Sequence, residues 1–329
     1  MLFILASRHV SNDESKRIKP EINTNKDGSM EGASSLSRLE IGQPSVRHRS
    51  QGARVFALFI KNRAAVIGVI ILVCFVLIAV FAGWIAPYDP LAEINPDGMA
   101  APSRDHWMGT DRLGRDVLSR VIFGTRLSLL VGFVSVIIGT VIGTMIGIMA
   151  GFSGGWVDSV TMRVIDAMLA FPGLLLALSV VIALGTGIRN VMLAVGIGGV
   201  PQYARLTRGT TLSAKENLYV DAARVIGCSN LRIMIRHILP NVIAPIIVIS
   251  TLQIGTAILA GATLSFLGLG AQPPTPEWGL MVAAGRTYLG KAWWLSTFPG
   301  LTITVVVIAI NLMGDGLREA LDPRLLQGE

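Results

Sequence analysis

Six stretches of this chain carry no charged residue: Ala64 to Tyr88, Leu127 to Val157, Ala167 to Ile188, Asn190 to Ala204, Asn241 to Pro276 and Ala292 to Gly314. Crossing the hydrocarbon core of a bilayer takes about 20 predominantly apolar residues in a helix. The composition agrees: 52% of residues are hydrophobic and 15% charged, with a mean hydropathy of +0.61, against about a quarter charged in ordinary soluble domains. The chain therefore reads as an all-α polytopic membrane protein with six transmembrane helices. The fourth run is the weakest. It is short, it contains Pro201, and it must borrow residues around Arg205 or remain a short, partly shielded helix.

The flanking segments set the expected organisation. Residues 1–50 are polar and cannot bury enough apolar surface to fold alone, so they read as a disordered tail. The opening Met1–Ala6 stretch is too short for a signal peptide, and no basic region precedes it. Residues 51–63 mix Val55, Phe56, Leu58, Phe59 and Ile60 with Arg54, Lys61 and Arg63, the make-up of an interfacial helix. A first span over 64–88 then leads to a loop over 89–126. A core of five spans over 127–313 contains a polar hairpin at 205–240, and a tail follows over 314–329.

Counting Lys and Arg on the two sides gives 20 of the 28 with the N-terminal segment, Arg163, the 205–240 hairpin and the C-terminal tail. By the positive-inside tendency both termini and the hairpin are cytoplasmic. The 89–126 loop resists, with Arg104, Arg112, Arg115, Arg120 and Arg126, but Asp105, Asp111 and Asp116 lie among them as expected partners. The net charge of +7 is thereby a topology signal rather than a nucleic-acid one. Cys74 and Cys228 form neither a disulfide framework nor a metal-ligand spacing.

The polar hairpin is the most informative segment. Asp221-Ala222-Ala223-Arg224-Val225-Ile226-Gly227 and Arg236-His237-Ile238-Leu239-Pro240 read as two short helices joined at Gly227. Asn217 is expected to cap the first helix, a left-handed Gly227 to end it, Ser229 to cap the second, and Pro240 to mark that helix's end. Such a hairpin between spans is a rigid knob suited to docking a soluble partner. The Ala223-x-x-x-Gly227-x-Ser229 spacing also fits a DNA-binding helix-turn-helix, but flanking spans hold it at the membrane, so a membrane-tethered regulator is the weaker reading.

Gly139, Gly143, Gly147 and Gly151 recur every fourth residue and bare one face of the second span to a close neighbour. Ala257 and Gly261 offer a smaller version in the fifth. Static packing is sufficient to explain both. Two near-misses to a phosphate-binding loop fail. Gly285 to Lys291 is followed by Ala292, which has no hydroxyl for Mg²⁺, and Gly109 to Gly114 is followed by Arg115-Asp116. Neither is an ATP site, so ATP hydrolysis by this chain is not expected. Arg163 and Asp166, three apart, are expected to pair at the start of the third span. The spans hold no His/Cys/Asp cluster for a metal, no carboxylate series for the proton relay of an ion-coupled secondary transporter, and no nucleophile–base constellation.

From about Phe56 to Arg324 the chain resembles the second permease subunit of peptide/nickel-type ABC importers. The resemblance rests on an ordered set: Asn62-Arg63-Ala64, Gly109-Thr110-Asp111-Arg112-Leu113-Gly114-Arg115-Asp116, the hairpin, Leu264-Ser265-Phe266-Leu267-Gly268-Leu269-Gly270, Pro273 to Gly279, and Gly314 to Pro323. The hairpin resembles that family's EAA loop, with Asp221 in place of the usual Glu and His237 in place of an aliphatic residue. The resemblance implies a type I importer (MetI-like) fold in a bacterial inner membrane. It implies a homologous second permease, two cytoplasmic ABC ATPases that carry the ATP and Mg²⁺, and an extracytoplasmic substrate-binding protein. It gives Asp221, Ala222, Ala223, Gly227, Arg236, His237, Leu239 and Pro240 to ATPase coupling, and small and aliphatic residues of the second to sixth spans to the solute path. Dipeptides, longer peptides, glutathione and metal chelates are all cargo classes of such relatives. No cofactor or nucleic acid is implied for this chain itself.

Overall fold

The computed structural model describes residues 51–93 and 98–321. The tail read from residues 1–50 lies outside them, as does 322–329. Among the described residues the secondary structure is helical apart from one isolated bridge between Thr110 and Asp116. α1 (Gln51–Lys61) leads into α2 (Arg63–Val80), whose first turn is capped by Asn62 accepting from the Ala65 amide at 3.1 Å. α3 (Ala82–Ile85) is a single turn. α4 (Val117–Ser153) follows an irregular but hydrogen-bonded loop.

α4 begins ten residues before the expected span because Asp116 caps it, accepting from the Ser119 amide at 2.7 Å and the Ser119 hydroxyl at 2.8 Å. At 37 residues it is about 55 Å long, well beyond the ~30 Å core. Of the acidic residues expected to pair with the loop arginines, Asp111 does so, at 2.7 Å from Arg115. Asp116 instead meets His106 at 3.0 Å.

The expected third span is not one continuous helix. α5 (Gly155–Leu169) and α6 (Gly173–Leu184) meet at 95°. Pro172 sits between them and has no N–H with which to continue a helix. α6 alone is 12 residues, about 18 Å, too short to cross. The rotation of α5 is set by Ile165, Met162, Met168 and Leu169 packing on Val200 and Ala204 of α7 (Ile188–Lys215). This turns Asp166 to Arg205 at 2.5 Å, so the expected Arg163–Asp166 pair does not form. Asp158 likewise receives both arms of Arg208.

The weak fourth run lies within α7, which at 28 residues is long enough to cross. Its arginines, Gln202 and internal Pro201 make it too polar to stand as a span by composition, and α4 shields it. α8 (Leu218–Val225), α9 (Asn230–Ile233) and a five-residue π-helical turn, Met234–Ile238, precede α10 (Leu239–Phe266). Residues 230–266 form one 37-residue helical path. α11 (Trp278–Gly285) and α12 (Trp294–Ala320) complete the bundle. α12 carries the helix past Gly314 to Ala320, so the segment read as a tail begins inside a helix. Among the described residues four helical paths are long and apolar enough to cross a membrane: α2, α4, 230–266 and α12. The bent α5–α6 pair makes a fifth if counted as one.

α4 and α7 form the tightest seam. A Cβ at Gly143 would lie 2.5 Å from the Tyr203 Cβ, at Gly147 2.5 Å from the Ala204 carbonyl oxygen, and at Gly151 2.9 Å from the Thr211 Cβ. At Gly139 it would meet the Gly196 carbonyl at 2.9 Å. These contacts are largely backbone against backbone, where nothing can yield, so tight packing accounts for the glycine period. On α10, Gly261 abuts Val131 of α4 and Ala257 is buried nearby.

The alternating direction of the helices puts the hairpin, α1 and the end of α12 at one end of the bundle. Asn62 donates to Glu319 there at 2.8 Å. The 98–116 loop, α11 and the start of α12 lie at the other end, where the Trp294 indole donates to the Thr110 carbonyl at 3.2 Å. Glu277 caps α11 by accepting from the Gly279 and Leu280 amides at 2.9 and 2.8 Å. Burial pushes its carboxyl above the usual range, and these two hydrogen bonds oppose the shift.

Candidate functional site

The hairpin is built as a rigid hook. α8 ends in a full Schellman motif: the Cys228 amide donates to the Ala223 carbonyl and the Gly227 amide to the Arg224 carbonyl, each at 3.0 Å. Gly227 takes φ +80 to close it. Ser229 caps α9, accepting from the Arg232 amide at 3.4 Å. Asn217 occupies the N-cap position of α8, but its side chain makes no cap. It donates backwards to the carbonyls of Ser213 and Ala214 at 3.2 and 3.0 Å and so seals the end of α7.

Pro240 does not end the second helix. Its missing N–H falls just after the π-helical turn, where the Leu239 amide reaches back five residues to the Met234 carbonyl. The wider turn absorbs the proline and carries the hairpin straight into α10. Asn241 donates to the His237 carbonyl at 2.6 Å and to the Tyr219 hydroxyl at 3.2 Å, tying α8 to the foot of α10. Movement of the hook is therefore mechanically continuous with a long helix in the bundle.

One face of the hook is core. Val220, Ile233, Ile238 and Val242 are fully buried, and Ala223 is 3% exposed. Arg224 lies over the ring of Phe152 at 5.7 Å, on the last turn of α4, and pairs with Asp221 at 3.0 Å. The other face is bare. Leu218 and Val225 are each 86% exposed, and Ile226, Leu231 and Ile235 are exposed as well.

Of the residues read as the contact surface, Asp221, Ala222, Arg236 and Pro240 lie on that bare side. Gly227 is exposed at the corner, His237 and Leu239 are half-buried at the hinge, and Ala223 faces the core. The large apolar residues of the bare face were missed in the sequence. Their signal was apolar residues on both sides of α8, more than a one-sided core contact requires. Burying an exposed Val, Leu or Ile is worth about 1.5–3 kcal/mol, so five grouped on a knob make an adhesive surface.

The described residues thus form a bundle of long apolar helices with an apolar-faced hook fastened at one end. The chain matches the family described as "Binding-protein-dependent transport system inner membrane component" over residues 143–327. It also matches the "N-terminal TM domain of oligopeptide transport permease C" over residues 50–102. It is 47% identical over 268 residues to a glutathione transport system permease protein GsiD from Escherichia coli strain UTI89, covering 81% of this chain and 88% of the relative. A Shigella flexneri serotype 5b protein of the same name is 49% identical over the same shares. An inward-facing MetNI methionine ABC transporter structure shares the fold, with a TM-score of 0.50 at 18% identity over 62% of this chain and 97% of that one. The chain belongs to the family of inner membrane components of binding-protein-dependent transport systems: it is an ABC importer permease subunit with the type I fold, a multi-pass inner-membrane protein and not an enzyme.

Proposed function

We propose that this chain is one of two homologous permeases of an importer for short peptides of the glutathione or dipeptide class. Two ABC ATPases, which hold ATP and Mg²⁺, dock on the Asp221–Pro240 hook. An extracytoplasmic binding protein delivers cargo at the 98–116 end, and both termini are cytoplasmic. The observation that carries the reading is the hook: among the described residues its exposed apolar face has no partner, and its root runs unbroken into α10. ATP-driven closure of the ATPases would pull on the hook and pass the displacement to the bundle. The relatives named for glutathione transport support the cargo class.

The test is uptake. The complete complex in proteoliposomes, with its binding protein, should accumulate labelled reduced glutathione or dialanine only with ATP on the hook side. An impermeant thiol reagent should reach Asn230→Cys from that same side and Ala101→Cys from the other. Uptake without ATP, or both cysteines labelled from one side, would contradict the proposal.

A further inference from the structure

Half-way along the bundle, three polar side chains stand where lipid or apolar packing would be expected. The Gln253 amide donates to the Gln202 side-chain oxygen and accepts from the Thr256 hydroxyl at 2.8 Å. Gln253 sits about 20 Å from either end of α10, and Gln202 follows the proline at the middle of α7. Gln202 and Thr256 are exposed. With Ser135 and the first turn of α6 they line a groove of about 230 Å³.

The geometry explains why the groove exists. α6 is short, and it starts beside Gly198, where an added Cβ would lie 3.6 Å from the Gly173 carbonyl. α5 turns away at 95°, so among the described residues no helix covers the glutamines. Pro201 has no N–H to give the Ile197 carbonyl, which adds an acceptor without its helical donor on the same stretch of α7.

An amide has two N–H donors and an oxygen with two lone pairs. Among the described residues the Gln202 amide nitrogen has no partner. At this depth hydrocarbon cannot satisfy it, and polar groups inside membranes face the bundle interior or a water-filled cavity. Among the described residues no charged side chain lines the groove. A neutral wall of amide and hydroxyl groups matches the neutral amide backbone of a peptide, which it can hydrogen-bond without holding tightly.

We propose that Gln202, Gln253 and Thr256 form a mid-membrane contact site on the solute path, offering hydrogen bonds to the backbone amides of a passing peptide. This rests on the importer reading and adds polar groups to the small and aliphatic path that the resemblance implies. The competing occupant is the second permease, held by the same amides as interhelical hydrogen bonds.

The test uses the complete complex with its other cysteines replaced. A water-soluble cationic methanethiosulfonate reagent should label Gln253→Cys. Its rate should change about tenfold between the nucleotide-free and ATP-trapped states, as expected if trapping shifts the exposed population by that factor. Leu259→Cys, on an exposed apolar part of α10, should stay unlabelled in both. In parallel, Gln253→Leu should lower uptake of reduced glutathione or dialanine about tenfold, the size of one or two lost hydrogen bonds. Copurification of the second permease and binding-protein-stimulated ATP hydrolysis should persist. No labelling in either state, labelling like that of Leu259→Cys, loss of the second permease from Gln253→Leu, or unchanged uptake by that variant would each overturn the site. If the wild-type complex takes up neither solute, the cargo assignment fails, while the labelling still reports whether the groove is a state-dependent aqueous path.

Discussion

Gly227→Val is expected to reach the membrane at the wild-type level, lose about tenfold or more in affinity for the ATPase, and support little uptake. Gly227 holds φ +80, and an added Cβ there would meet nothing within 4 Å. The penalty is therefore backbone strain alone, not a clash. Holding a β-branched residue in this region costs of order 1–3 kcal/mol, and 1.4 kcal/mol is a factor of ten in binding. The chain can relieve the strain by opening the Schellman turn, which swings α8 against α9 and splits the apolar face. The apolar lengths that drive insertion do not change. Gly227→Asn is the informative control, because Asn tolerates left-handed backbone. It should retain most of the uptake. Equal behaviour of the Val and Asn variants would mean that the φ at this corner does not matter.

The second large effect separates two adjacent alanines. Ala223 is buried under α8, packed with Val220, Ile233 and Ile238, whereas Ala222 is exposed. Ala223→Asp places an uncompensated charge in the core, where removing one partner of a buried ion pair gives the scale, about 3–5 kcal/mol. The hook should come off the bundle, and the protein should fall to a small fraction of its normal membrane level. Ala222→Asp leaves the core intact and alters only the docking face, so the protein should accumulate normally while ATPase copurification drops. The measurements are membrane abundance and copurified ATPase for both variants. Normal abundance of Ala223→Asp, or loss of Ala222→Asp from the membrane, would contradict the inward and outward assignments.

The sequence made the spans legible where hydrophobicity and charge agree. α2 and α12 lie close to their charge-free runs, and α4 contains most of its own. It misled where a run is interrupted by backbone chemistry. Pro172 breaks the third span because it cannot donate, but Pro240 does not break the fifth because a π-helical turn before it supplies the slack. The two prolines look alike in one dimension, since what distinguishes them is the hydrogen bonding of the preceding turn. Gly227 and Ser229 were readable because caps are local.

The facing of Ala223 was not readable, since it depends on which side of a short helix meets α4 and α10. The Arg163–Asp166 pairing failed for the same reason: tertiary packing of Ile165 on α7 overrode a local spacing. The Gln202–Gln253 contact joins residues from two distant helices, and no local pattern announces it.

The bare face of the hook is expected to be the seat of an ATPase. The most direct measurement of this is photocrosslinking in the assembled complex with Ile226→p-benzoylphenylalanine, and with Trp107→p-benzoylphenylalanine as the control. Both positions are exposed, at 78% and 73%, and they lie at opposite ends of the bundle. The probe at 226 should capture the ATPase subunit, and the probe at 107 should not. Capture of the ATPase from 107, or of no ATPase from 226 in a complex that is hydrolysing ATP, would contradict that placement.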